Sequence, residues 1–379
     1  MALLEVTERG AVFESVPGTD RQSCCFPEVC ALPGGRWLCS CRAAPTKGDA
    51  AEQHVLLSWS DDEGGTWSAP YTPFDPPDVE GKPGLFRKGA LTSLGGERVV
   101  AALAWQDFSD PSLPFFNEET EGLLEMFLFL ARSEDGGASW AGPKPIDTTP
   151  FDCPTPLTGP NLVLPNGDWA CQFELNKHYE DPAPWRHSSV LMFSSDDGHT
   201  WPEHVRVSDD PERRIFYWDQ RPSVLADGTL LNPFWTFDRE RAEYLNIHAR
   251  ESKDNGRNWS EMWDTGVPGQ PAPPVSLPDG GVAMVHVDRA GPPQIKVRTS
   301  HDGGRSWPDD TEVVIYGIKQ PSQTETKSTM QDAWAEMAKF SVGLPATAPL
   351  PDGEFLVVYY AGPRTDETDI RWARLRLRR

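Results

Sequence analysis

Five times in 379 residues the chain writes the same short pattern, S-x-D-x-G-x-[S/T/N]-W. The copies are SDDEGGTW (60–67), SEDGGASW (133–140), SSDDGHTW (194–201), SKDNGRNW (252–259) and SHDGGRSW (300–307). Each follows a run of strand character: HVLLSW, MFLFLAR, SVLMFS, LNIHAR and QIKVRT. The pattern fits a turn between two antiparallel strands. Gly takes the positive φ that the turn needs. The Asp carboxylate bonds backbone N–H groups within the turn, and the Trp covers it. These Asp residues are therefore expected to be structural.

A second signal has the same period. An L-P-x-G-like turn occurs six times, at ALPGG (31–35), SLGGE (93–97), VLPNG (163–167), VLADG (224–228), SLPDG (276–280) and PLPDG (349–353). An apolar strand follows each one, as in RWLCSC or EFLVVYY. The unit reads strand, turn, strand, loop, strand, Asp turn, strand. Six such units predict an all-β, six-bladed β-propeller of four-stranded antiparallel blades. The expected divisions fall at about 20–80, 81–148, 149–210, 211–268, 269–320 and 321–379, within a single domain over 1–379. The N-terminal LLEVTERGAVFE is expected to close the last blade, which removes an exposed edge. Within the longest connection, TMQDAWAEMAKF has the character of a short helix.

Composition agrees and excludes several functions. Thirty-seven Pro and 32 Gly leave little room for long helices, while 15 Trp and 17 Phe supply large core side chains. A net charge of −22 argues against nucleic-acid partners and against docking on anionic membranes. No signal peptide or transmembrane run is evident, so a cytoplasmic location is expected. Five of the seven Cys crowd together at Cys24, Cys25, Cys30, Cys39 and Cys41. Neither paired CxxC nor finger-spaced His accompanies them, so small apolar core residues are expected rather than a metal site, and no cofactor.

Asp turns on a six-unit propeller resemble the sialidase (neuraminidase) superfamily across nearly the whole chain. The resemblance implies a glycosidase site at the end of the blades opposite the Asp turns. It also implies Arg side chains that clamp a carboxylate, a Tyr nucleophile and an Asp acid/base. Arg42 and Asp49 in CRAAPTKGD match the family's pattern, and Pro27 stands in its Arg-Ile-Pro element. Cys25 occupies the Arg position of that element. SVGLPATAPL (341–350), where the family places its Tyr, contains none, and Tyr359 and Tyr360 fall on the next strand.

Loops leading into the inner strands, and loops joining second to third strands, converge on the channel. FYWDQRPSV (216–224) offers Asp219 and Arg221 beside Trp218. FPEVCAL offers Glu28, an acid in an apolar run, whose pKa would rise if it were desolvated. FELNKHYEDPAPWRHS (173–188) offers Glu174, His178, Tyr179, Trp185 and His187. Trp235, Asp238, Gln270, Asp288, Arg289 and Arg364 complete the set. The expected catalytic carboxylates are Glu28, Asp49, Asp219 and Asp238. The expected substrate ligands are Arg42, Arg221, Arg289, Gln270, Glu174, Tyr179, His187 and Trp235. The partner is expected to be a carbohydrate, possibly acidic, handled by a glycoside hydrolase. A polysaccharide lyase using His187 or Tyr179 as base, or a propeller that binds without turnover, are the alternatives.

Overall fold

The computed structural model describes residues 3–48 and 51–378. Nearly all the regular structure is β. The exceptions among the described residues are one turn of helix at Asp309–Thr311 and an eight-residue helix, α1, at Met330–Met337. A capping box starts α1: the Thr329 hydroxyl accepts from the Asp332 N–H while the Asp332 carboxylate accepts from the Thr329 N–H. No helix among the described residues is long and apolar enough to cross a membrane.

The strands form antiparallel meanders in a propeller-like arrangement. One runs through Gly84–Ser93, Val99–Asp107, Met126–Ser133 and Ala141–Pro145. The next holds Leu162–Val163, Trp169–Leu175, Ser188–Ser194 and Glu203–Asp209. The spacing predicts six separate blades, whereas the described strands hydrogen-bond into five sheets. The difference has one source. A parallel bridge between Ser23 and Thr368 fuses the strands of residues 342–377 with those of residues 23–60 into a seven-stranded sheet. Leu4–Phe13 runs antiparallel along Glu367–Leu377, from Leu4 opposite Leu377 to Phe13 opposite Ile370.

The five repeated stretches share one hydrogen-bond pattern. In the third, the Ser194 hydroxyl donates to Asp196 Oδ1 at 2.7 Å and accepts the Gly198 N–H at 2.8 Å. Both the N–H and the hydroxyl of Thr200 donate to the Asp196 carboxylate, at 2.8 and 2.7 Å. The same contacts recur around Asp62, Asp135, Asp254 and Asp302. Gly198 sits at φ +76°, where a side chain would be strained. These donors hold Asp196 well below the usual carboxylate range and bring Asp135 down to about 2.

Apolar clusters fill the space between groups of strands. One, within the seven-stranded sheet, joins Cys39, Leu56 and Trp37 to Leu356, Val358 and Trp372. Trp37 and Trp372 meet edge to face at 5.3 Å. Six of the seven cysteines are buried, Cys153 is half-buried, and all are free thiols. Strand register fixes the polarity of the sheets. Ser194, which opens an Asp turn, lies opposite Trp169, whereas Leu175 lies opposite Ser188. Glu174 therefore sits about 16 Å along the strand from the Asp-turn end.

Candidate active site

At that far end a cavity of about 440 Å³ opens. Five cationic side chains line it: Lys47, Arg87, Lys88, Arg221 and Arg289. Three acids join them, Glu118, Glu174 and Asp219. Trp185, Trp218, Trp235, Phe115, Phe116 and Phe340 supply aromatic wall, and α1 closes one side with Trp334 and Met337. Trp334 stacks on Phe116 at 4.4 Å.

The segment 219–221 is fixed from both sides. The Arg221 N–H donates to Asn232 Oδ1 and to the Pro233 carbonyl, each at 3.0 Å. Gln220 Nε2 donates to the Phe173 and Val190 carbonyls. Asp219 is thereby held at φ +48°, and its N–H donates to Glu174. Its carboxylate accepts from Gln270 Nε2 at 2.5 Å and from Arg221 Nη2 at 3.3 Å. Phe26 and Leu344, at φ +55° and +41°, also line the cavity. Both lie in bulges, between Cys25 and Glu28 and between Gly343 and Ala346. Each such non-glycine residue costs on the order of 1–3 kcal/mol, and such strain gathers where a site demands a particular direction of a side chain.

The two arginines are only partly spent. Arg221 is 4 % exposed, yet its Nη1 has no hydrogen-bond partner among the described residues. Arg289 donates Nη1 to Gln270 Oε1 at 3.0 Å and Nε to the Val342 carbonyl at 2.9 Å. Its Nη2 lies against the Tyr360 hydroxyl without reaching hydrogen-bond geometry. Gly343 permits this approach: a Cβ there would stand 2.0 Å from Arg289 Nη2 and 2.8 Å from Tyr360 Oη.

A buried donor left unmade costs about 1–3 kcal/mol, more when charged. The cavity therefore holds unspent capacity for an anion. The net charge of −22 does not cancel it. A unit charge about 4 Å away acts with about 4 kcal/mol near a protein surface, whereas charges beyond the Debye length of about 8 Å are largely screened.

Sequence reasoning missed Lys47, Arg87, Lys88 and Tyr360. Lys47 Nζ donates to the Met337 and Phe340 carbonyls at 2.8 and 2.7 Å and to the Tyr360 hydroxyl at 3.2 Å. Burial, with Arg289, Arg42 and Arg87 nearby, brings its pKa down to about 7. Burial pushes the Tyr360 hydroxyl up to about 12 even though Arg289 opposes it. Lys88 pairs with Glu28 at 2.8 Å, and burial lowers its pKa.

The anticipated residues divide. Asp219, Arg221, Glu174, Gln270, Arg289 and Trp235 line the cavity. Glu28 does not: it faces a void of about 10 Å³ beside it, where Lys88 neutralises it. Arg42 lies behind the wall, bound to Gln53 at 2.6 Å and to the Lys47 carbonyl at 2.9 Å, and so supports the loop that carries Lys47. Asp238 is turned away into an ion pair with Arg214 at 2.7 Å and caps the turn at Glu240 and Arg241. Although burial pushes its carboxyl up, these bonds bring it below the usual range. His187 is buried against Phe216, with Nε2 3.3 Å from Glu174. Tyr179 offers its backbone carbonyl to Asn117 and lies outside the cavity wall. His178 pairs with Glu125, Arg364 with Glu367, and Asp288 lines a neighbouring cavity. Asp49 lies outside the described residues. Among the described residues no group of three or more His, Cys, Asp or Glu is arranged to hold a metal.

A propeller-like β fold carrying Asp turns at one end and a cation-lined cavity at the other defines a sialidase-like class. Residues 114–315 match the BNR repeat-like domain, and the chain belongs to that family. Its fold is similar to that of a Dyadobacter fermentans protein of unknown function, at TM-score 0.75 and 19% identity over 99% of both chains. It is similar to the Hadza microbial sialidase Hz136 at TM-score 0.67 and 15% identity, covering 94% of this chain and 66% of that one. For the Trypanosoma rangeli sialidase the values are 0.65 and 13%, over 98% and 60%. At these identities the likeness is one of fold. No curated protein matches the sequence.

Proposed function

We propose that the chain is an exo-acting glycoside hydrolase of the sialidase-like kind, taking a sugar that bears a carboxylate. The observation that carries this reading is Arg221. Its guanidinium is almost wholly buried at the cavity with Nη1 unspent, and Arg289 stands beyond Gln270 and Asp219. A planar guanidinium matches a carboxylate in two-point fashion. The aromatic wall suits the faces of a sugar ring, and a bounded cavity of this size suits a terminal one. Sialidases among the structures of similar fold support the choice of class. Tyr360 is the nucleophile in this scheme, and Asp219 or Glu174 protonates the departing oxygen.

A finer reading of the fold belongs with it. The seven-stranded sheet is two blades whose backbones pair at the single Ser23–Thr368 bridge, which makes six in one domain. An experimental structure with a continuous ladder between those strands would break that count.

The test is release of aryl alcohol from a panel of aryl glycosides, led by an α-sialoside and including uronides. Turnover of an acidic glycoside is expected, falling about 10- to 150-fold in kcat/KM for Arg221→Ala, the worth of a hydrogen bond to a charged group. Preference for neutral glycosides, unchanged in the variant, defeats the proposal. A second reading is favoured by one observation, the Lys47–Tyr360 contact. A lyase would use such a pair to abstract a proton beside a uronate. It would give an unsaturated, ultraviolet-absorbing product in place of simple hydrolysis.

A further inference from the structure

We infer that Lys47 is the proton acceptor for Tyr360, so that an amine does the work of activating the phenol at this site. The inference rests on the hydrolase reading above and deepens it.

The geometry is a count of donors and lone pairs. Among the described residues Lys47 Nζ has three hydrogen-bond partners: the carbonyls of Met337 and Phe340, at 2.8 and 2.7 Å, and the Tyr360 hydroxyl at 3.2 Å. A neutral amine has two N–H bonds and one lone pair. The two carbonyls can only accept, so they take the two N–H groups. The lone pair is left for the one neighbour able to donate, the phenolic O–H. An ammonium has three donors and satisfies the same three neighbours, with the phenol oxygen accepting. The pocket therefore fits both protonation states of Lys47, and the position that changes role is the one shared with Tyr360. A purely structural Lys would need no partner that can also donate.

The surroundings favour the uncharged amine. The charges of Arg289, Arg42 and Arg87 act against an ammonium at Lys47, with Cys25 as the opposing group. Burial adds to the cationic effect, and the amine loses its proton at about pH 7. The Asp366 carboxylate accepts the backbone N–H of Lys47 at 3.2 Å, and among the described residues the hydrogen-bond partners of Nζ are the two carbonyls and the phenol.

The proton does not leave in advance. With Tyr360 at about 12 and Lys47 at about 7, full transfer is unfavourable by about five orders of magnitude. Transfer accompanies bond formation. The lone pair of Nζ takes the Tyr360 proton as the phenol oxygen bonds to the anomeric carbon. The glycosidic C–O bond breaks, and the departing oxygen takes a proton from Asp219 or Glu174. Arg289, against the Tyr360 oxygen, steadies the charge that grows there. Water then bonds to the anomeric carbon and gives its proton to the carboxylate of Asp219 or Glu174, the bond between carbon and the Tyr360 oxygen breaks, and Lys47 returns its proton to the phenol. Lys47 is thus a positioning residue that acts through Tyr360.

Two measurements test this. First, protein carrying 13Cε-labelled lysine is titrated by NMR, with the Lys47 signal assigned by its loss in Lys47→Arg. A Lys47 midpoint near pH 7 that moves in Tyr360→Phe is expected. A midpoint above pH 9, or one indifferent to Tyr360, overturns the inference (the ordinary Lys value is about 10.4). Second, pH profiles of kcat/KM are compared. Wild type is expected to gain activity as pH rises through about 7, where Lys47 becomes neutral. Lys47→Arg keeps the donors to Met337 and Phe340 but offers no lone pair. It should lose about 100-fold or more in kcat with KM little changed, and lose the limb near pH 7. A Lys47→Arg enzyme with wild-type kcat and profile overturns the inference. Should no glycoside be turned over, the hydrolase reading fails, yet the titration still decides whether Lys47 and Tyr360 share a proton.

Discussion

The two ends of the sheets spend their polar groups in opposite ways. At the Asp-turn end, the third-position Asp of each repeated stretch, Asp62, Asp135, Asp196, Asp254 or Asp302, is satisfied by donors within a few residues. At the cavity end, the partners come from distant parts of the chain. Gln270 bonds Asp219, Arg289 bonds Gln270, and Lys47 reaches Met337, Phe340 and Tyr360. Donors are left over there, on Arg221 and Arg289. Local satisfaction makes a turn robust. Long-range, incomplete satisfaction makes a site that a ligand can complete.

Gly343→Ala should strike the cavity end hardest. The added Cβ displaces Arg289 or Tyr360, since it would lie 2.0 Å from Arg289 Nη2. A displacement of about 1 Å at a reacting centre costs on the order of 100-fold in rate. Kinetics on the best aryl glycoside should show that loss, with only a modest change in Tm. Equal activity would mean that the arginine and tyrosine can separate without consequence.

Asp196→Ala probes the other end. It removes the acceptor for Ser194 and for both donors of Thr200, so Tm should fall by a few degrees in a thermal scan. Turnover per folded molecule should be unchanged, because the turn and the cavity lie at opposite ends of the strand pair. A lowered kcat at unchanged stability would join the two ends functionally.

The smallest effect is a shared acid limb. Asp62, Asp135 and Asp196 have folded pKa values below the unfolded carboxylate, so the unfolded chain binds protons first as pH drops. Their contribution is complete above the ordinary carboxylate range and is lost as pH falls through their lowered folded values, about 2 for Asp135. Urea denaturation across that range should show stability declining, and less steeply in Asp196→Ala. Stability that rises on acidification would reverse the sign.

Why one end was legible in the sequence and the other only in part follows from the same contrast. The Asp turn writes all its partners within eight consecutive letters, so its period exposes the all-β, propeller-like architecture. The Ser23–Thr368 bridge, with partners 345 residues apart, leaves no such mark, and the sheet count differed for that reason. Asp219 and Arg221 stood out because charged residues lead directly into an inner strand. Tyr360 did not, because both faces of Phe355–Arg364 are buried and periodicity cannot say which face meets the cavity. Tyr359 packs against Tyr316, while its neighbour Tyr360 turns to Lys47. Asp238 misled for the opposite reason. It sits at a strand end, but Arg214 claims it.

The ladder between Leu4–Phe13 and Glu367–Leu377 has a consequence for biosynthesis. As a ribosome delivers the chain from its N-terminus, the early strand waits for one that emerges some 350 residues later. At roughly 5–20 residues per second, that wait lasts tens of seconds. Throughout it, Leu4, Val12 and Phe13, all buried in the finished protein, lack the cover of Glu367–Leu377, and the nascent chain is open to chaperones until that strand arrives.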